Sequence, residues 1–145
     1  MIDLDQYLEE RIARFPELKQ VVRISGLSGL EELTDDVRAA QFPCLAVDIG
    51  TDGSLDWSAG SLDRSFHAFH VLVQLDGVTD AAHRKAALQK AFDIGKRILR
   101  QIQADSHGYG TPCYGFEAAD IRYSSFGPIG FQCYGYSFNF VISRE

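Results

Sequence analysis

The spacing of apolar and polar positions along the chain predicts two helices of unequal length and a set of strands around them. Residues 3–15 place Leu4, Tyr7, Leu8, Ile12 and Phe15 three and four apart, the spacing of an amphipathic helix. Asp3 is a suitable cap, and Pro16 disfavours helix in the residue before it. Val21, Val22 and Ile24 form a short β-prone run, followed by a weaker helical pattern at Leu30, Leu33 and Val37. After Phe42-Pro43, residues 44–49 predict a strand, and residues 50–54, with their Asp-Gly pair, predict a tight turn. Residues 64–75 alternate cleanly, with Phe69, Val71, Val73 and Leu75 on one face and Phe66, His70, Leu72 and Gln74 on the other.

The strongest helix is expected over residues 79–104, capped by Thr79 or Asp80. Its buried stripe is expected to be Leu88, Phe92, Gly95, Leu99 and Ile102, flanked by Ala91 and Ile98. A Gly-rich loop fills residues 105–115, and strands are expected over residues 116–125 and 131–143, joined through residues 126–130. In the last strand Tyr134, Tyr136, Phe138, Phe140 and Ile142 share a face. Five large side chains on one face need an apolar cover, and the long helix can supply it. The expected fold is therefore α+β: a mainly antiparallel sheet, one long helix packed across one face, and a short N-terminal amphipathic helix. No internal repeat or low-complexity linker divides the chain, so residues 1–145 are expected to form one domain.

Composition narrows the function classes. A chain of 145 residues, 46% hydrophobic and 23% charged, has an ordinary globular make-up. Its net charge of −6 argues against a nucleic-acid partner, since phosphate contacts need clustered Lys and Arg. The basic residues His83, Arg84, Lys85, Lys90, Lys96, Arg97 and Arg100 read as the solvated face of the long helix. No apolar run approaches the ~20 residues that cross a bilayer. The acidic start, with Asp3 and Asp5, is unlike a signal peptide, so the expected location is the cytoplasm, with no membrane partner.

Candidate chemistry is sparse. Cys44, Cys113 and Cys133 form neither a CxxC pair nor an even framework, and read as buried thiols; a Cys113–Cys133 bridge remains open. On one strand, His67 and His70 fall on opposite faces, which separates them as metal ligands. No catalytic motif, metal site or cofactor site is predicted. One pocket is conceivable under the Gly-rich loop, from His107, Tyr109, Cys113 and Tyr114, because ten of the 17 aromatic residues lie after position 108. It would make the chain a small-molecule or peptide binding module. A Cys113–His107 dyad is the one arrangement that would make it an enzyme.

With that order of elements, the chain resembles the tail-terminator and tail-completion proteins of tailed bacteriophages and prophages. The likeness runs from the N-terminal helix (Leu4, Tyr7, Leu8, Ile12), through the strands beginning at Phe42-Pro43-Cys44 and His67-Ala68-Phe69, to the long helix and the closing strand Tyr134-Gly135-Tyr136-Ser137-Phe138. It implies a structural protein that caps the tail tube as a homo-oligomeric ring, usually of six copies. Tail tube and head-tail connector proteins would be its partners, and the virion its final location. No catalytic residues come with it. Independently of the resemblance, the apolar stripe of the first helix must be buried on its own sheet or at a subunit boundary, so self-association is expected through Leu4, Leu8 and Ile12 or through the strand edges of the meander. The acidic residues Asp48, Asp52, Asp56 and Asp63 are expected to face solvent or a lumen.

Overall fold

A computed structural model describes residues 3–11, 14–25, 41–50, 52–75, 80–108, 110–130 and 132–145. The helical pattern at Leu30, Leu33 and Val37, and the residues Ile12, Thr79 and Tyr109, lie outside this set.

Helix α1 (Leu4–Arg11) starts where predicted: the Tyr7 amide donates to the Asp3 carbonyl, 3.1 Å. It is shorter than the apolar spacing suggested. Phe15 is buried, yet it sits in a turn beyond the helix, accepting from the Leu18 amide at 2.9 Å, as expected for the residue before a proline. Strands β1 (Gln20–Ile24) and β2 (Cys44–Asp48) pair in parallel, with Gln20 opposite Cys44 and Ile24 opposite Asp48. Strand β3 (Asp52–Asp56) and the 13-residue β4 (Leu62–Gln74) form a hairpin. Helix α2 (Ala81–Asp105) leads to β5 (Arg122–Ile129) and β6 (Cys133–Arg144). The strand order is β1-β2-β4-β6-β5, with β3 in line with β2 along the same edge of β4. All pairs except β1–β2 are antiparallel, so the fold is α+β with a mostly antiparallel sheet.

The alternation read from β4 and β6 is the alternation observed. Phe69 lies opposite Phe138, and Val71 opposite Tyr136, in an unbroken register from Asp63–Arg144 to Gln74–Cys133. Their large side chains meet α2 in the main core, where Ile94, Ile98 and Ile102 are at most 1% exposed. The buried stripe of α2 differs from the expected one. It runs through Ala87, Ala91, Ile94, Gly95, Ile98, Leu99 and Ile102, while Leu88 and Phe92 are half-buried at its margin. Small residues at Ala87, Ala91 and Gly95 bring the helix close to the sheet, leaving Phe92 to pack sideways on Tyr123 and Tyr136. Asp80 is the cap, accepting from the His83 amide at 2.9 Å. A second, smaller cluster (Ile24, Cys44, Ala46, Leu72) lies on the other face of the sheet.

Two expected boundaries are corrected. Asp52-Gly53 is not the hairpin turn but the start of β3; a Cβ on Gly53 would sit 2.4 Å from the Arg64 carbonyl oxygen, an approach only glycine permits. The turn lies at residues 57–61, where the Asp56 carboxylate accepts from the Ser58 amide at 3.0 Å and its hydroxyl at 2.7 Å. Nor does a strand run over residues 116–125. Phe116 makes one bridge to Ile142, and a turn closes when the Asp120 amide donates to the Glu117 carbonyl. Arg64 (3.0 Å) and Ser143 (2.6 Å) then pin the Glu117 carboxylate, and β5 begins only at Arg122. It extends, with an irregularity between Phe126 and Ile129, through the segment read as a connector.

Candidate functional site

Three regions hold chemistry or unmet surface: a cleft beside the Gly-rich loop, a polar relay on the sheet, and the β3–β4 hairpin.

The loop following α2 is folded back by Arg144 at the end of β6. Its guanidinium donates to the carbonyls of Pro112 (2.6 Å) and Tyr114 (3.1 Å). Between this loop and α1 opens a cleft of about 430 Å³, lined among others by Gln6, Tyr7, Glu10, Thr111, Tyr114 and Arg144. At its base the Tyr7 hydroxyl donates to the Asp105 carboxylate at 2.5 Å, which also accepts from Gln101 (3.0 Å) and Arg11 (3.2 Å). The Arg11 guanidinium lies 4.9 Å over the Tyr7 ring. Burial pushes the Asp105 carboxyl up, but these donors more than offset it and hold it below the usual carboxylate range. Burial and the Asp105 partnership push the Tyr7 hydroxyl well above its ordinary value. The network fastens α1 to the end of α2.

Of the expected pocket residues, Tyr114 lines this cleft, and His107 is exposed in the loop. Cys113 is fully buried in the main core, with the Tyr7 hydroxyl as its neighbour. Burial pushes its thiol up to about 11, the reverse of the low value that makes a thiolate nucleophile. Cys44 and Cys133 are likewise buried, their thiols pushed up to about 12 and about 11, and all three cysteines are free. The first-helix residues Leu4 and Leu8 are 4% and 2% exposed within the main core. Their stripe is covered by the chain's own core, which leaves neither side chain on the surface for a second copy.

The relay was not foreseen. His70 Nδ1 is 2.6 Å from Ser137 Oγ, and its Nε2 is 3.2 Å from Asp48 Oδ2, a serine–histidine–aspartate order. His70 is 5% exposed. The three side chains come from β2, β4 and β6, and no local motif could reveal them, because strand pairing alone sets Ser137 opposite His70. Acyl transfer also requires amides aimed at a developing oxyanion. Ser137 sits mid-strand, opposite His70 of β4 and Ser124 of β5, so the amides around it are committed to the sheet. The arrangement satisfies a buried histidine and joins three strands. On the other face, His67 stacks on Phe140 (5.4 Å) and contacts Ser65 Oγ at 2.7 Å, which separates the two histidines as their spacing required.

The hairpin is the most exposed part of the sheet: every residue of β3 faces solvent, and among the described residues β3 pairs with β4 alone. Leu55 is 63% exposed and Trp57, at the tip, 70%. Asp63, opposite Leu55, shares its face, while Asp52 and Asp56 project from the other; all three are exposed, whereas Asp48 reaches inward to His70. Among the described residues no helix is long and apolar enough to cross a membrane. No family model and no curated protein matches the chain.

Proposed function

We propose that this chain is a structural assembly protein of a phage or prophage particle, a ring-forming tail terminator or a neighbouring neck protein. The observation that carries the reading is the architecture in its order. A short N-terminal helix, strands, one long helix across a mostly antiparallel sheet and an aromatic closing strand follow the plan that the resemblance implies. An exposed hairpin bearing Leu55 and Trp57 suits a subunit that meets other subunits, since tryptophan is enriched where protein surfaces bind. The test is incubation with purified tail tubes of the particle encoded beside this gene, viewed by electron microscopy. Rings seated on tube ends and halted elongation are the expected result; tubes with bare, growing ends would refute it.

A second reading rests on the cleft beside α1. Its volume and its mixture of Tyr7, Tyr114, Glu10 and Arg144 suit a small polar ligand or peptide end. A ligand held at 100 times its dissociation constant would raise stability by ~2.7 kcal/mol. A thermal-shift screen that gave no shift across a broad metabolite and peptide panel would remove this reading.

A further inference from the structure

Helix α1 turns Leu4 and Leu8 into the core and presents a second face to the cleft beside the Gly-rich loop. That face is Asp3, Gln6, Tyr7 and Glu10, spaced three and four apart. Asp3 and Glu10 are exposed at its two ends, seven positions apart, about 10 Å along the helix axis. Between them Tyr7 forms the base, and Pro112 and Tyr114 line the opposite wall. The donors around the cleft are committed to the chain itself. Arg144 directs Nε to the Tyr114 carbonyl (3.1 Å) and Nη2 to the carbonyls of Pro112 (2.6 Å) and Thr111 (3.4 Å). The Tyr7 hydroxyl and Arg11 Nε donate to Asp105, and the Thr111 hydroxyl donates to the Gly108 carbonyl at 3.0 Å. Acceptors are in surplus. Glu10 has only a long contact from the Gln6 amide, 3.4 Å, and a distant one from Arg11, 3.9 Å. At the other end, Asp5 is held by Arg23 at 2.5 Å, and its hydrogen bond with Asp3 pushes the Asp3 carboxyl above its usual range. An occupant that brings donors and positive charge suits such a cleft, whereas a carboxylate or phosphate would meet Asp3 and Glu10 as like charges.

We propose that this cleft binds a linear organic cation of the diamine or polyamine class, one ammonium on Asp3, another on Glu10, and the methylene chain between them along Pro112 and Tyr114. This rests on the reading of the cleft as a ligand site and names the class of ligand it takes. An ammonium carries three donors and no acceptor, which is what a cleft with surplus acceptors lacks. The Tyr114 ring attracts both the charge and the apolar stem. Two carboxylates at a fixed separation also select by length. A chain whose nitrogens stand about 10 Å apart reaches both ends of the helix face, while a short monoamine reaches one.

The test is calorimetric titration of the full chain with spermidine, n-butylamine and the dicarboxylate suberate. Spermidine should saturate at one per chain and bind about tenfold or more tightly than n-butylamine, and suberate should give no binding heat. Asp3→Asn and Glu10→Gln keep the cap and the helix, and each should weaken spermidine about tenfold. Asp52→Asn/Asp56→Asn, on the distant hairpin, should leave it unchanged, which separates a built site from general attraction to an acidic chain. Equal weakening in the hairpin variant, or none in the two cleft variants, would overturn the proposal. Suberate binding that Tyr114→Ala abolishes would overturn the class of ligand while leaving the cleft as a ligand site. No heat from any of the three probes would also overturn the class, and a silent thermal-shift screen beside it would remove the cleft reading as well.

Discussion

Gly95 offers a test in which two ordinary effects oppose each other. It lies in the middle of α2, where alanine normally stabilises a helix relative to glycine by about 1 kcal/mol. A methyl placed there would stand 2.0 Å from Phe138 Cε2 and 2.1 Å from Cζ. Ordinary carbon contacts begin near ~3.5 Å, so ring or helix must retreat by about 1.5 Å. The ring has nowhere to go: Phe138 is 1% exposed, stacked on Phe69 at 5.2 Å and flanked by Phe92 at 6.1 Å. Overpacking of such a site costs about 1–3 kcal/mol, and the upper half of that range applies to a close clash with a fixed ring. The clash outweighs the propensity gain. Gly95→Ala should therefore lower stability by about 1–2 kcal/mol, or roughly 3–8 °C in Tm for a chain of this size. Urea denaturation followed by circular dichroism measures it. Trimming the ring removes the opponent, so Gly95→Ala in a Phe138→Leu background should be neutral or stabilising, with a coupling of about 1 kcal/mol or more. A Gly95→Ala chain as stable as the wild type, or strict additivity in the double variant, would refute this account of the α2–sheet contact.

Three further outcomes follow from the interior. Burial, with a contribution from Arg144, pushes the His67 imidazole down to about 4. The unfolded chain therefore takes up this proton first as pH falls, and the stability contributed by neutral His67 is full above about pH 6.5 and is lost between there and pH 4, up to about 3 kcal/mol. Comparing wild type with His67→Gln across that window isolates the effect, and parallel pH curves would contradict it. Tyr7→Phe should cost about 1–2 kcal/mol in chemical denaturation, because it removes a donor that Asp105 holds at 2.5 Å, and little in an Asp105→Ala background. The three cysteines should react slowly and alike with a disulfide reagent at pH 7.5, since their thiols are pushed up to about 11 or 12; rapid labelling of Cys113 alone would show an opening of the core beside Tyr7.

The sequence made legible what regular periodicity encodes. The alternation in β4 and β6 and the length of α2 emerge as read, because one buried face leaves no freedom of register. Where local chemistry competes with tertiary contact, the reading fails. Asp52-Gly53 has turn composition, but its glycine serves a close approach to Arg64 within a ladder. Phe116 has strand character, but Glu117 is held by Arg64 and Ser143 from two other strands, and the chain turns there. The apolar stripe of α1 could equally have been an interface; only the position of the sheet decides that Leu4 and Leu8 face inward. The Ser137–His70–Asp48 relay needs two strand registers at once, β2 on β4 and β4 on β6, which no single segment carries.

The central claim is that this chain assembles with copies of itself. Sedimentation velocity on the full chain, from micromolar to near-millimolar concentration at low salt, tests it most directly. The account predicts a shift from the 16.1 kDa monomer to one closed species of several copies, seen as rings in micrographs of the same sample. A single 16.1 kDa boundary at every concentration would contradict it.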